Sequence, residues 1–136
     1  MTKTYCPLPW IHFSANTDSS MRVCCNTGNG GFIKKNTGEK WYLADVKDLK
    51  EYYNTEQLSK IRLDMINNVR PEICERCFHL EDQGANSVRQ TMIKFYPFES
   101  VVPDNTNMTT GEILDPNVIY LDFSWGNKCN LKCKMC

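Results

Sequence analysis

The last eight residues of the chain read Cys129-Asn-Leu-Lys-Cys133-Lys-Met-Cys136, a C-x3-C-x2-C run. Thiols this closely spaced can surround one inorganic centre. A [4Fe–4S] cube has about four irons and normally takes one cysteine thiolate on each. Three local thiolates therefore leave one iron free to bind a substrate or cosubstrate. Zinc is the rival for such a run. It prefers four closed ligands, often paired C-x2-C knuckles, and a lone triplet fits that poorly. Lys128, Lys132 and Lys134 flank the sulfurs. They either offset the negative charge of an iron–thiolate centre or form a solvated basic loop.

Five more cysteines lie upstream, at positions 6, 24, 25, 74 and 77. Cys74-Glu-Arg-Cys77 is a C-x2-C pair at the expected start of a helix, where backbone N–H groups favour thiolates. Cys6 and Cys24 flank an expected hairpin, so four sulfurs can converge from two elements. Such a set suits a closed cluster or a structural zinc. Cys24 and Cys25 point to opposite faces if the strand persists through them.

The terminal triplet, on the loop after an expected strand Val118-Ile-Tyr-Leu-Asp-Phe123, resembles the radical S-adenosylmethionine superfamily. The resemblance implies that Cys129, Cys133 and Cys136 hold a [4Fe–4S] cluster whose open iron binds S-adenosylmethionine. It further implies reductive cleavage to a 5′-deoxyadenosyl radical, which takes hydrogen from a substrate. Met135 stands where the family usually places an apolar residue beside the cluster. An electron donor such as flavodoxin or ferredoxin, and a peptide or protein substrate, are implied in the same way.

Upstream, Tyr5-Cys6-Pro-Leu-Pro-Trp10-Ile-His, then Val23-Cys24-Cys25, then Glu72-Ile-Cys74-Glu-Arg-Cys77, looks like the twitch domain, the shortened form of the SPASM domain. Those modules carry auxiliary iron–sulfur clusters in radical S-adenosylmethionine enzymes. The resemblance covers about residues 5–90 and implies Cys6, Cys24, Cys74 and Cys77 as ligands. Cys24 keeps the family register. Cys25 is then a small buried hydrophobe or a neighbour of the cluster. Ser19 departs from the pattern, which usually has glycine in the turn before Cys24. The family also more often places this module after the barrel.

Several elements must position these residues. Ile11, Phe13 and Ala15 alternate with Trp10, His12 and Ser14, which predicts a half-buried strand over 10–15. Asn16-Thr-Asp-Ser-Ser20 is turn chemistry, and residues 21–24 return as the second strand. Residues 32–34 and 41–43 are expected to pair around Asn36-Thr37-Gly38. Asp45 is expected to cap a helix over 46–53. Asn54 is expected to cap the next, with Gln57 completing the box and Leu58, Ile61, Met65 and Val69 as its apolar stripe. Pro71 ends that helix. Helices are expected over 74–83, stopped by Gly84, and over 87–94.

The fold class expected is α+β. Residues 1–95 are expected to form a cysteine-rich, twitch-like domain of hairpin and helices, 96–117 an inter-domain linker or long loop rich in turn formers, and 118–136 the first strand and cluster loop of a partial α/β barrel. The 136 residues end at the third ligand of the triplet. The strand is therefore expected to lack a partner, and the chain alone to be inactive, as a cut gene model, a fragment or half of a split gene would be.

Sixteen basic and sixteen acidic residues cancel, so no net field favours nucleic acid or an anionic membrane. No continuous apolar run precedes Cys24, so neither signal peptide nor membrane span is expected. A cytoplasmic location follows, in which clustered cysteines read as metal ligands rather than disulfides and the Asn107-Met-Thr109 sequon carries no meaning. No G-x-S-x-G, Walker-type loop or H-E-x-x-H supports a hydrolase or nucleotidase. His12 is expected to pack or cap. His79 either approaches the upstream cluster or lies on a helix surface. Trp10, Trp41 and Trp125 are core or rim aromatics, and Trp125 could shield the terminal cluster. Arg89 and Gln90 either contact substrate or form a solvated face. Two functions remain: the N-terminal part of a radical S-adenosylmethionine oxidoreductase or maturase, or a non-catalytic metal-binding module that recognises a peptide or partner protein.

Overall fold

Proline fixes φ near the helical value and lacks an N–H, which suits a first helical turn. Pro7 and Pro9 accordingly start one turn, α1 (Leu8–Ile11), and the chain extends only afterwards as β1 (His12–Ala15). The strand expected over 10–15 is thus a helical turn followed by a shorter strand. Both faces of β1 are buried, so the alternation does not separate core from solvent. The computed structural model describes residues 2–28, 30–126, 128–129 and 131–134.

Asp18 shapes the hairpin turn by accepting from the Ser20 N–H at 3.0 Å and its hydroxyl at 2.6 Å. Ser19 is left-handed at φ 66°, a conformation that favours glycine. β2 (Met21–Arg22) then pairs antiparallel with β1, Ala15 opposite Met21. Ile33 and Trp41 continue the layer: the Ile33 N–H donates to Met21 O at 2.9 Å and the Trp41 N–H to Ile33 O at 2.9 Å.

β3 (Tyr120–Phe123) lies on the other side of β1 and runs parallel to it, from His12 opposite Tyr120 to Ala15 opposite Phe123. The sheet order is β2-β1-β3. The expectation that this strand has no partner is overturned. Its Ile119 N–H donates to Ile11 O at 2.9 Å, and the Ser124 N–H to Ala15 O at 3.1 Å.

The helices are α2 (Leu49–Tyr53), α3 (Glu56–Ile66), α4 (Glu75–Asp82), α5 (Val88–Phe95) and α6 (Phe98–Val101). Asp48, not Asp45, caps α2, accepting from Lys50 N at 2.8 Å. Thr55, not Asn54, caps α3. Asn54 instead brackets Ile113, donating to its carbonyl at 2.9 Å and accepting from its N–H at 2.8 Å. Leu58, Ile61 and Met65 bury the face of α3, whereas Val69 lies past its end and is 51% exposed. Ser87 caps α5 with Gln90 in a capping box.

The stretch 96–117 packs into the fold instead of spanning a gap. Val102, Thr106 and Ile113 are buried, and Trp10 Nε1 donates to Thr106 Oγ1 at 2.8 Å. Arg62 is completely buried and ties three segments together. It donates to Gly111 O at 2.6 Å, Pro9 O at 3.1 Å and Tyr53 O at 2.6 Å. Gly111, at φ +75°, presses on the α3 backbone at Ser59, where a side chain has no room. The turn formers of this stretch thus serve close packing. The described residues form a mixed α+β fold with a small three-stranded sheet and six helices. None of these helices is long and apolar enough to cross a membrane.

Candidate metal centre

Four of the upstream cysteines come together. Cys6 precedes α1, Cys24 follows β2, Cys74 ends a 3-10 turn, Glu72–Cys74, and Cys77 lies in the first turn of α4. All four line one small enclosed cavity, with Leu8, Ile73 and Val88 as its apolar wall. Cys6 lies close enough to feel the charge of Cys24, Cys74 and Cys77. The sequence brings them there by simple means. The prolines turn the chain after Cys6, the hairpin returns Cys24 beside it, and Pro71 ends the α3 connection so that a new helix can begin at Cys74.

Burial dominates the protonation of Cys6, Cys24 and Cys74. It pushes Cys6 far above its ordinary value, Cys74 up to about 12 and Cys24 up to about 11. The neighbouring thiols add to the shift at Cys6 and Cys74. In the protein alone Cys6, Cys24 and Cys74 are therefore held as neutral thiols, and a cation must accompany their conversion to thiolates. Donors for that charge are in place. The Asn26 side-chain amide donates to Cys77 Sγ at 3.1 Å, and the Asn26 backbone N–H donates to Cys24 Sγ at 3.4 Å.

Burial also raises the Cys25 thiol, and the next influence is the Asp122 carboxylate on β3. Cys24 thus lines the shared cavity and Cys25 does not, although Cys25 lies near enough to both Asp122 and Cys77 to feel their charge. His12 is buried on β1 and stacks on Tyr120, ring centroids 4.6 Å apart. Neither of its ring nitrogens has a hydrogen-bond partner, although the Val23 backbone lies close by. Burial lowers its pKa to about 4. His79 pairs with Gln83 on the surface of α4 and does not line the thiol cavity.

The terminal triplet is described only in part. Cys129 and Cys133 are exposed, and Cys129 Sγ accepts from Leu131 N at 3.4 Å. Cys136 and Met135 lie outside the described residues. Lys128, Lys132 and Lys134 are exposed. Trp125 is 87% exposed and leans on Phe123, ring centroids 5.4 Å apart.

The donor set has the composition an iron–sulfur or zinc centre requires: four thiols on one cavity, an apolar wall and N–H donors to sulfur. The seven described cysteines are all free thiols. As the side chains stand, no group of three or more His, Cys, Asp or Glu among the described residues is drawn together tightly enough to hold a metal ion. Binding therefore requires the sulfurs to close in around the centre.

Two contributors to the site carry no signal in the sequence. Asn26 acts across 51 positions, which no local pattern reveals. Arg89, expected at a substrate contact or on a solvated face, is instead buried on Glu81 and lines the thiol cavity. An Arg two residues past a capping Ser87 carries no signal of burial by itself. Compared with protein-family models, with curated proteins and with solved structures, the chain matches none.

Proposed function

We propose that this chain is the N-terminal part of a radical S-adenosylmethionine enzyme, with Cys6, Cys24, Cys74 and Cys77 holding an auxiliary iron–sulfur cluster in a twitch-like domain. The observation that carries this reading is the convergence of those four thiols on one cavity, leaving Cys25 outside it. The terminal C-x3-C-x2-C run supplies the second centre in the sequence. That Tyr120–Phe123 enters the sheet parallel to β1 fits a strand that opens a parallel β/α unit.

When bound at the triplet, a [4Fe–4S] cluster supplies the electron that cleaves S-adenosylmethionine. The chain's own residues have separate tasks. Cys129, Cys133 and Cys136 would hold that cluster, supplying three thiolates to it. β3 anchors their loop to the folded domain through β1. In the upstream cavity Asn26 directs two N–H groups at sulfur, and Leu8, Ile73 and Val88 supply apolar lining. A peptide or protein substrate, a flavodoxin or ferredoxin donor and a cytoplasmic location belong to the same proposal.

A cosubstrate pocket also needs walls that fix its orientation and exclude water. The test is accordingly made on a polypeptide carrying this sequence followed by further β/α units. Under a strong reductant it should yield methionine and 5′-deoxyadenosine, and Cys133→Ala should abolish the yield. No 5′-deoxyadenosine from such a protein with an intact triplet would reject the enzyme assignment. The same four thiols also suit a closed zinc site, which would make this a non-catalytic module for binding a peptide or partner. Stoichiometric zinc in the anaerobically purified chain, with iron refused, would favour that second reading.

A further inference from the structure

Arg89 lies in the first turn of α5 and is only 7% exposed. Its guanidinium is held on several sides. Nε donates to Glu81 Oε1 at 2.9 Å, and Nη2 donates to Glu81 Oε2. Nη1 donates to the backbone carbonyls of Lys3 at 3.1 Å and Tyr5 at 2.7 Å. The Phe78 ring lies against it, centroid 4.7 Å away. Tyr5 directly precedes Cys6, and Phe78 directly follows Cys77. One side chain therefore ties the segment carrying Cys6 to the helix carrying Cys77.

That side chain is also part of the thiol cavity's wall, whereas Glu81 is not among the lining residues. Arg89 lies near enough to Cys74 to oppose the effect of burial on its thiol. Arg76 is the other cation on the wall, but it is exposed and its field is screened by water and salt. Four thiolates around an iron–sulfur core carry net negative charge, and reduction adds one more electron. A buried positive charge stabilises the reduced state more than the oxidised one. The Glu81 carboxylate opposes this from the far side of the guanidinium.

We infer that Arg89 is the charge partner of the auxiliary centre: it positions the Cys6 segment against α4 and raises the centre's reduction potential, with Glu81 holding it in place. This rests on the reading of the four thiols as an iron–sulfur site. It makes Arg89 a positioning residue and not a ligand.

The test uses the full chain with Cys129, Cys133 and Cys136 changed to Ala, so that one centre is read. The protein is reconstituted anaerobically with iron and sulfide and titrated redox-wise under electron paramagnetic resonance. Arg89→Gln should lower the reduced-to-oxidised ratio at fixed potential about tenfold, a shift of about 59 mV for a one-electron couple. Arg89→Lys should recover most of that shift. Glu81→Gln should move the potential the opposite way, since it removes the opposing carboxylate. A purely structural role would lower iron content in all three without ordering the potentials. An unchanged potential in Arg89→Gln, shifts of the same sign in Arg89→Gln and Glu81→Gln, or failure of all three to load iron would each overturn the charge role. A parent protein that takes up no iron would instead reject the cluster reading itself, and this inference with it.

Discussion

Asn26 donates its side-chain amide to Cys77 Sγ at 3.1 Å while its backbone N–H donates to Cys24 Sγ at 3.4 Å. One residue thus joins two thiols that lie on separate elements. Outer-shell partners of metal ligands typically contribute about 10–100-fold in affinity. Asn26→Ala should weaken metal retention by about tenfold or more, read by competition against a chelator. Retention equal to wild type would remove Asn26 from the site.

The adjacent cysteines should behave differently. Cys24 lines the shared cavity, whereas Cys25 does not. Cys24→Ala removes one of four sulfurs and should strip most iron from the upstream centre. Cys25→Ala should leave iron content close to wild type, because Cys25 only borders the centre. Iron and sulfide analysis of both variants, made in a chain lacking the terminal cysteines, checks this. Equal losses, or the reverse order, would contradict the ligand assignment.

His12 gives the fold an acid-sensitive component. Burial lowers its pKa from 6.5 to about 4, so between those values the unfolded chain binds a proton that the folded protein refuses. Stability from this group is full above about pH 6.5 and falls as pH drops through about 4, by about 3 kcal/mol in total. Carboxylates held low by their partners, such as Asp82 on Arg70, lose stability in acid as well. The informative quantity is therefore the difference between wild type and His12→Phe, which keeps a ring against Tyr120 and cannot titrate. Urea unfolding at pH 7 and pH 4 should show a smaller acid loss in the variant. Equal losses would mean that His12 charges without cost.

The chemistry-bearing residues were legible because thiols are rare and their spacing is local. Cys74 and Cys77 are set by one helix start, and Cys24 by the turn before it. Ser19 takes a left-handed conformation in that turn, φ 66°, of the kind that favours glycine. Helix existence was legible from the stripe Leu58, Ile61 and Met65. Helix starts were less so, because Asn54 and Thr55 are both competent caps and only the distant Ile113 decides between them. The packing of the stretch 96–117 is illegible for a related reason. Its prolines, glycine and asparagines look like slack chain. Yet Gly111 is needed for close approach to α3, and Arg62 requires carbonyls that only this loop, α1 and α2 together supply. The parallel partner of β3 lies more than a hundred positions away, at β1, beyond the reach of any local pattern.

An iron–sulfur site built on Cys6, Cys24, Cys74 and Cys77 has a metal content that no zinc site shares. The chain with Cys129, Cys133 and Cys136 changed to Ala is reconstituted anaerobically with iron, sulfide and competing zinc, then desalted and analysed. A cube on four thiolates predicts about four iron and four sulfide per chain, with a Mössbauer spectrum of sulfur-coordinated iron. One zinc per chain with no retained iron or sulfide would contradict it.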